Sequence, residues 1–351
     1  MDLRKMLWLE KITFKQISVM CVLLVGMYFV FSPPTRLDDS IDIDLTVSVG
    51  SMDDSYLEED NEPVTYSVYL MHNSGYLVKT EVEADNERSD VETVFELLRV
   101  GAPNTHPNTD GLIPAGAVIR DYQLEGDVLT LNLSESFLYY RNSVEDDLLS
   151  SLVWSMTELP GIDRVNVKIE GETIRNLNGK TDVGRGLTRA MGINVEVAAP
   201  MTVNHQMMLL YFFTDDSDGL LVPVTRLISQ GVDPFEYAVS SLVQGPLGAS
   251  YISVFNHRAT LLEQPKLEDG IMTLNFCSGL FFNEDQTQVS SQVIKQLVMT
   301  MTEFDAVHEV SVVVEGSSRV FDDSGNPITV PVGRNVVLER MNQSRGFIME
   351  Y

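Results

Sequence analysis

Residues 130–137 (TLNLSESF) and 273–280 (TLNFCSGL) are two versions of one phrase, led in by LEGDVL and LEDGIM respectively. A phrase that returns after 143 residues constrains the fold more than any composition does, because each copy must be one supersecondary unit built twice. In the first copy Leu129, Leu131 and Leu133 alternate on one face; in the second Met272, Leu274 and Phe276 do. Period-two alternation predicts a half-buried strand. Gly126 and Gly270 sit in the turn before each strand, where a tight hairpin needs positive φ. AVIRDYQL and TLLEQPKL supply the other hairpin arm.

An amphipathic helix follows in both copies. Val144, Leu148, Leu149, Leu152, Val153 and Met156 have Val289, Val293, Ile294, Leu297, Val298 and Met301 as counterparts at an offset of 145. One buried stripe is thus used twice. Asn142 and Thr287 stand where N-caps are expected, and VNVKIEG and VSVVVEG read as closing strands. Earlier, VTYSVYLM with GYLVKTEV matches QMMLLYFF with GLLVPVTRLI as strand pairs. The short helices VETVFELLRVGAP and PFEYAVSSLVQGPLG both stop at Gly near Pro. Each unit reads strand, strand, helix, strand, strand, helix, strand. Strands with one buried face and two amphipathic helices predict an α+β fold, a two-layer sandwich in each of two tandem domains, residues 63–198 and 205–351. Ala198–His205 is the expected hinge.

What precedes the repeats reads differently. Ile17–Phe31 is an uncharged apolar run, preceded by Arg4, Lys5, Lys11 and Lys15. Basic residues before such a run place the N-terminus, residues 1–16, in the cytoplasm. Residues 17–32 are expected to be a transmembrane anchor, with a cleaved signal peptide as the competing reading. VFSPP offers few small residues for cleavage, and Cys21 lacks a lipoprotein signal before it. Residues 33–62 hold ten Asp or Glu against Arg36 alone and read as an acidic spacer. The formal net charge of −27 argues against nucleic acid and against lying flat on an anionic bilayer. Beyond the anchor Cys277 is the remaining cysteine, so an internal disulfide is excluded there.

The sequence carries no motif that announces a reaction. Hydrolase elbows, phosphate loops, dinucleotide fingerprints and HExxH helices are missing from the sequence. His72, His106, His205, His257 and His308 lack metal-ligand spacing and read as surface or loop residues. Cys277 replaces Ser134 of the first copy and reads as a packing residue rather than a nucleophile. Glu158 and Glu303 close both long helices in a Thr-Glu dipeptide and read as exposed carboxylates. Neither metal nor cofactor is called for, and no catalytic residue is expected. Asn132 and Asn275, on the polar face of the repeated strand, are the candidate interaction surface.

The helix ends LLRVGAP and LVQGPLG, the IPAGAVI segment, the doubled VLTLNLS-type strand and SMTELPGIDRVNVKIEG with its MTEF copy resemble the GerM family of sporulation and spore germination proteins, with tandem GerMN domains, over roughly residues 64–345. The resemblance implies domains similar to ring-building motifs. It also implies a membrane-tethered protein facing the space between mother cell and forespore, where it helps a ring-like complex of other protein subunits to assemble at the septum. A glycan-binding or peptidoglycan-processing module is the alternative. The family often carries Asp where this chain has Asn132 and Asn275, and the second copy reads NHRA in place of IPAG.

Overall fold

The computed structural model describes residues 63–338, apart from 86, 179–180, 198–204, 218, 249–250, 283–286 and 318. The expected anchor, the acidic spacer and all of the expected hinge but His205 lie outside the described residues. Among the described residues no helix is long and apolar enough to cross a membrane.

The first repeat opens with a hairpin, β1 (Val64–His72) and β2 (Leu77–Ala84), followed by α1 (Asp90–Val100) and a short β3 (Thr109–Asp110). A second hairpin, β4 (Ile119–Glu125) and β5 (Val128–Leu133), leads into α2 (Glu145–Met156) and β6 (Arg164–Ile169). Short strands β7 (Glu172–Thr173), β8 (Asn176–Leu177), β9 (Thr181–Asp182) and β10 (Glu196–Val197) complete it. The second repeat runs β11 (His205–Thr214), β12 (Leu221–Ser229), α3 (Pro234–Gln244), β13 (Tyr251–Ile252), β14 (Lys266–Glu268), β15 (Ile271–Phe276), β16 (Gln288–Val289), α4 (Ser291–Met301), β17 (Glu309–Val314), β18 (Phe321–Asp322) and β19 (Val332–Gly333). The element order anticipated from periodicity is present twice.

Local chemistry sets these boundaries. In α1 the Ser89 hydroxyl accepts the Glu92 amide while the Glu92 carboxylate accepts the Ser89 amide, a reciprocal cap. Asp233 caps α3 with Pro234 at the first helical position. Gly101 and Gly245 end these helices at φ of 73° and 87°, where a side chain would be strained. Asn142 and Thr287 do not cap. A 3-10 turn over Asn142–Val144 delays α2, so Val144 occupies the cap position without a side-chain bond. Strand β16 delays α4, so Ser290 becomes its cap.

The repeated strands bury the predicted faces: Leu129, Leu131 and Leu133, like Met272, Leu274 and Phe276, have no exposed surface. Strands β5 and β6 pair in parallel from Val128–Arg164 to Leu133–Ile169, as do β15 and β17 from Ile271–Glu309 to Phe276–Val314. A parallel pair needs a crossover, and α2 and α4 supply it.

Each repeat divides its strands between two sheets. The later hairpins form separate sheets, β4-β5-β6-β7 and β14-β15-β17-β19. The opening hairpins of both repeats merge into one sheet in the order β13-β11-β12-β2-β1-β3, with β10 also paired to β12. The two hairpins meet through one backbone pair, Lys79 with Leu221, and β10 adds the parallel pairs Glu196–Arg226 and Val197–Leu227. Continuing the Lys79–Leu221 register would set Leu77 against Pro223, which has no N–H to give. Asn194 fills the gap: its Nδ2 donates to Leu77 O (2.8 Å) and Pro223 O (2.7 Å), and its Oδ1 accepts Leu77 N–H (2.9 Å). Tyr76 and Val78 of the first repeat consequently belong to the core of the second.

Candidate functional site

The two Thr-Glu dipeptides build the same object. Tyr69 and Tyr211, on β1 and β11, are fully buried. The Ser155 hydroxyl accepts the Tyr69 amide (2.9 Å) and the Thr300 hydroxyl accepts the Tyr211 amide (3.1 Å). The Tyr69 hydroxyl donates to Glu158 (2.8 Å) and the Tyr211 hydroxyl to Glu303 (3.0 Å). Arg189 completes the first cluster through Glu158 (2.7 Å) and Thr157 (2.7 Å), its guanidinium lying 4.8 Å from the Trp154 ring centroid. Arg334 completes the second through Glu303 and Thr302 (3.1 Å), 5.6 Å from the Tyr211 ring centroid. Each Arg follows its Glu by 31 residues.

The first cluster carries a second cation, Lys79, 3.0 Å from Glu158. Its counterpart in the hairpin register is Pro223, since Tyr69 faces Lys79 as Tyr211 faces Pro223. Burial opposes ionisation of Glu158, but Lys79 and Arg189 outweigh it and hold the carboxyl at about 2. Burial likewise pushes both tyrosines up, so they stay protonated and donate. The expectation of exposed helix-end carboxylates is therefore corrected: the Glu158 and Glu303 side chains are only 21% and 22% exposed, and each locks a helix end to a strand and to the returning chain. The two clusters approach one another at a cleft of about 250 Å³ lined by Arg189 and Glu303 with Trp154, Met208, Leu209 and Phe304.

Asn132 and Asn275 are half-buried, and both ends of each amide are engaged. Asn132 Nδ2 donates to Asp121 (2.7 Å) and its Oδ1 accepts the Gly171 amide (2.7 Å). Asn275 donates to Glu263 (3.1 Å) and accepts the Gly316 amide (3.3 Å). Each staples a hairpin arm to the turn after the closing strand. An Asp at either place would face a carboxylate without a proton to offer it, which accounts for Asn in this chain.

His72 departs from the expected surface or loop placement, whereas His106 keeps to the loop between α1 and β3. His72, 4% exposed, stacks on Tyr76 and bonds Asp216 of the second repeat (2.9 Å). His106 is buried against Glu81 O (3.3 Å). Cys277 takes over the place of Ser134: Ser134 Oγ accepts the Val118 amide, and Cys277 Sγ accepts the Thr260 hydroxyl. Among the described residues no group of three or more His, Cys, Asp or Glu is placed to hold a metal.

This duplicated arrangement has known counterparts. A family model described as Germane, sporulation and spore germination, matches residues 67–175 and again 209–320. The chain belongs to this family. It is similar to the spore germination protein GerM of Bacillus subtilis (strain 168), 28% identical over 293 residues that cover 80% of each chain. Its fold is similar to the solved tandem GerMN domains of the sporulation protein GerM from Bacillus subtilis, with a TM-score of 0.70 and 27% identity, covering 77% of this chain and 98% of that one. A role connected with sporulation follows from these likenesses.

Proposed function

We propose that the protein is a non-enzymatic assembly component of sporulation: residues 17–32 anchor it in the membrane, the N-terminus stays inside, and the tandem domains face outward. There it supports a ring-like complex of other protein subunits at the septum between mother cell and forespore, with an effect on germination. Ring-building-like packing of the domains is part of this reading. The observation that carries it is the merged sheet, which makes two repeats one platform carrying two outer sheets. The polar faces bearing Asn132 and Asn275 belong to those outer sheets and are the proposed docking surface. An adaptor needs its faces on one platform, because misplacing one partner costs the geometry of the whole.

Membership in the family supports the sporulation setting. The test is replacement of the cellular gene by variants that separate the repeats, such as Asn194→Ala with Leu221→Pro, scored by heat-resistant spores and by capture of septal protein subunits. Normal spore counts with the repeats uncoupled would sink the platform reading. Turnover of purified peptidoglycan by the full-length protein would replace it with the enzymatic alternative.

A further inference from the structure

The two repeats differ in charge from the closing strand onward. The stretch from β6 to the clasp arginine, residues 164–189, carries six basic residues against three acidic ones. Its counterpart, residues 309–334, carries two against four. In a chain of net charge −27 the first stretch is a local reversal of sign.

Four of these cations, Arg164, Lys168, Arg175 and Arg185, collect beside sheet β4-β5-β6-β7. A groove runs there in two connected parts of about 340 and 320 Å³ that share Thr173 and Gly184. Its floor is hydrogen-bonding: Gln123, Thr130, Asn166 and Lys168. Arg175 and Arg185 stand at one end, with Asp182 3.7 Å from Arg175, and Glu125 is the other carboxylate in the lining. Arg164 reaches the same end, donating to Arg185 O (3.0 Å). Among the described residues Arg164, Lys168 and Arg185 form no ion pair, unlike Lys79, Arg189, Arg226 and Arg334. Gly186 keeps the end open, since a Cβ there would meet Asn166 Oδ1 at 2.4 Å and the Arg164 side chain at 2.8 Å.

We infer that this groove on the first repeat docks an acidic, extended segment of a partner protein. Guanidinium groups match carboxylates in pairs, and a floor of amides and hydroxyls suits a peptide backbone. The lining holds no aromatic ring, the platform on which a sugar would stack. Elsewhere the acidic surface repels the same segment, so repulsion selects this one face. The inference rests on the assembly reading and adds the chemistry of its partner.

The test uses the full-length protein in detergent and a fluorescent twelve-residue Asp/Glu-rich peptide, with an Asn/Gln peptide of equal length as control. Anisotropy should show binding of the acidic peptide alone, weakening as salt rises. The triple variant Arg164→Gln, Lys168→Gln, Arg185→Gln should lose at least tenfold in affinity, and Arg319→Gln in the second repeat should lose nothing. Unchanged circular dichroism and melting of the triple variant would show that folding is intact. Equal binding of both peptides, or an unaffected triple variant, would overturn the inference. So would displacement by peptidoglycan strands, or loss of self-association as the sole effect of the triple variant. If peptide binding fails while the repeat-separating variants still abolish sporulation, this groove is refuted and the platform stands.

Discussion

The first and second repeats share a fold and a clasp but solve two local problems differently, and the differences show which parts are fixed by packing. Glu158 answers to two cations, Lys79 and Arg189; Glu303 answers to Arg334, because Pro223 stands where Lys79 would be. Ahead of the repeated strand, PAGA (114–117) of the first copy is matched in the structure by NHRA (256–259) of the second, the last Ala of each donating its amide to the carbonyl of the first residue. The glycine has moved across the contact: Gly116 faces Ser136 in the first, whereas the Arg258 backbone faces Gly279 in the second. Ala117 and Ala259 are equally buried, so the alanine is what packing requires and the glycine only keeps clearance.

The largest effect should come from breaking the richer clasp. Glu158→Ala leaves Lys79 and Arg189 facing each other with the carboxylate gone, and should cost about 3–5 kcal/mol in urea unfolding. Glu303→Ala, with one partner cation, should cost less, about 2 kcal/mol once its partial exposure is allowed for. The same comparison can be made with protons. The folded pKa of Glu158 lies below its unfolded value, so its contribution is present above the ordinary carboxylate range and is lost as pH falls through about 2. Glu158→Gln should flatten stability against pH between about 4.5 and 2; an unchanged slope would refute the assignment.

Next comes the moved glycine. A Cβ on Gly279 would lie 2.3 Å from Arg258 O, whereas one on Gly116 would meet nothing nearer than Ser136 Cβ at 3.5 Å. Gly279→Ala should destabilise by about 1–3 kcal/mol and Gly116→Ala by no more than about 0.5 kcal/mol. Equal melting temperatures for the two variants would contradict the swap. At the junction Asn194→Ala removes three hydrogen bonds and should cost about 1–3 kcal/mol, with faster amide exchange at Leu77 as the specific readout.

The smallest effects concern the staples. Asn132→Asp puts a carboxylate against Asp121 and should cost about 1 kcal/mol at neutral pH, regained by adding Asp121→Asn. Asn275→Asp should cost less, because Lys266 already lies 2.6 Å from Glu263. A greater loss in the second repeat would reverse the order.

Much of this was legible in the chain. The stripes of α2 and α4 and the alternating faces of β5 and β15 are periodic patterns, which local geometry imposes. The helix starts were misplaced because a 3-10 turn and a two-residue strand, not the cap residue, decide where the helices begin. The clasp was missed because Tyr69 lies 89 residues from Glu158, and Tyr211 lies 92 from Glu303. The recurrence of Arg 31 residues after each Thr-Glu was a signal in plain sight. The merged sheet has no sequence signal of its own: Asn194 looks like any loop residue until Pro223 lies opposite.

Seen as an assembly problem, carrying both repeats in one chain turns what could be a dimer of two separate modules into an association that dilution cannot undo. Two free copies would meet at a rate set by their abundance, and their association would weaken on dilution. Joined in one chain, the partner hairpin is always present at an effective concentration in the millimolar range. The pairing of the two repeats is thereby independent of how many molecules a cell makes.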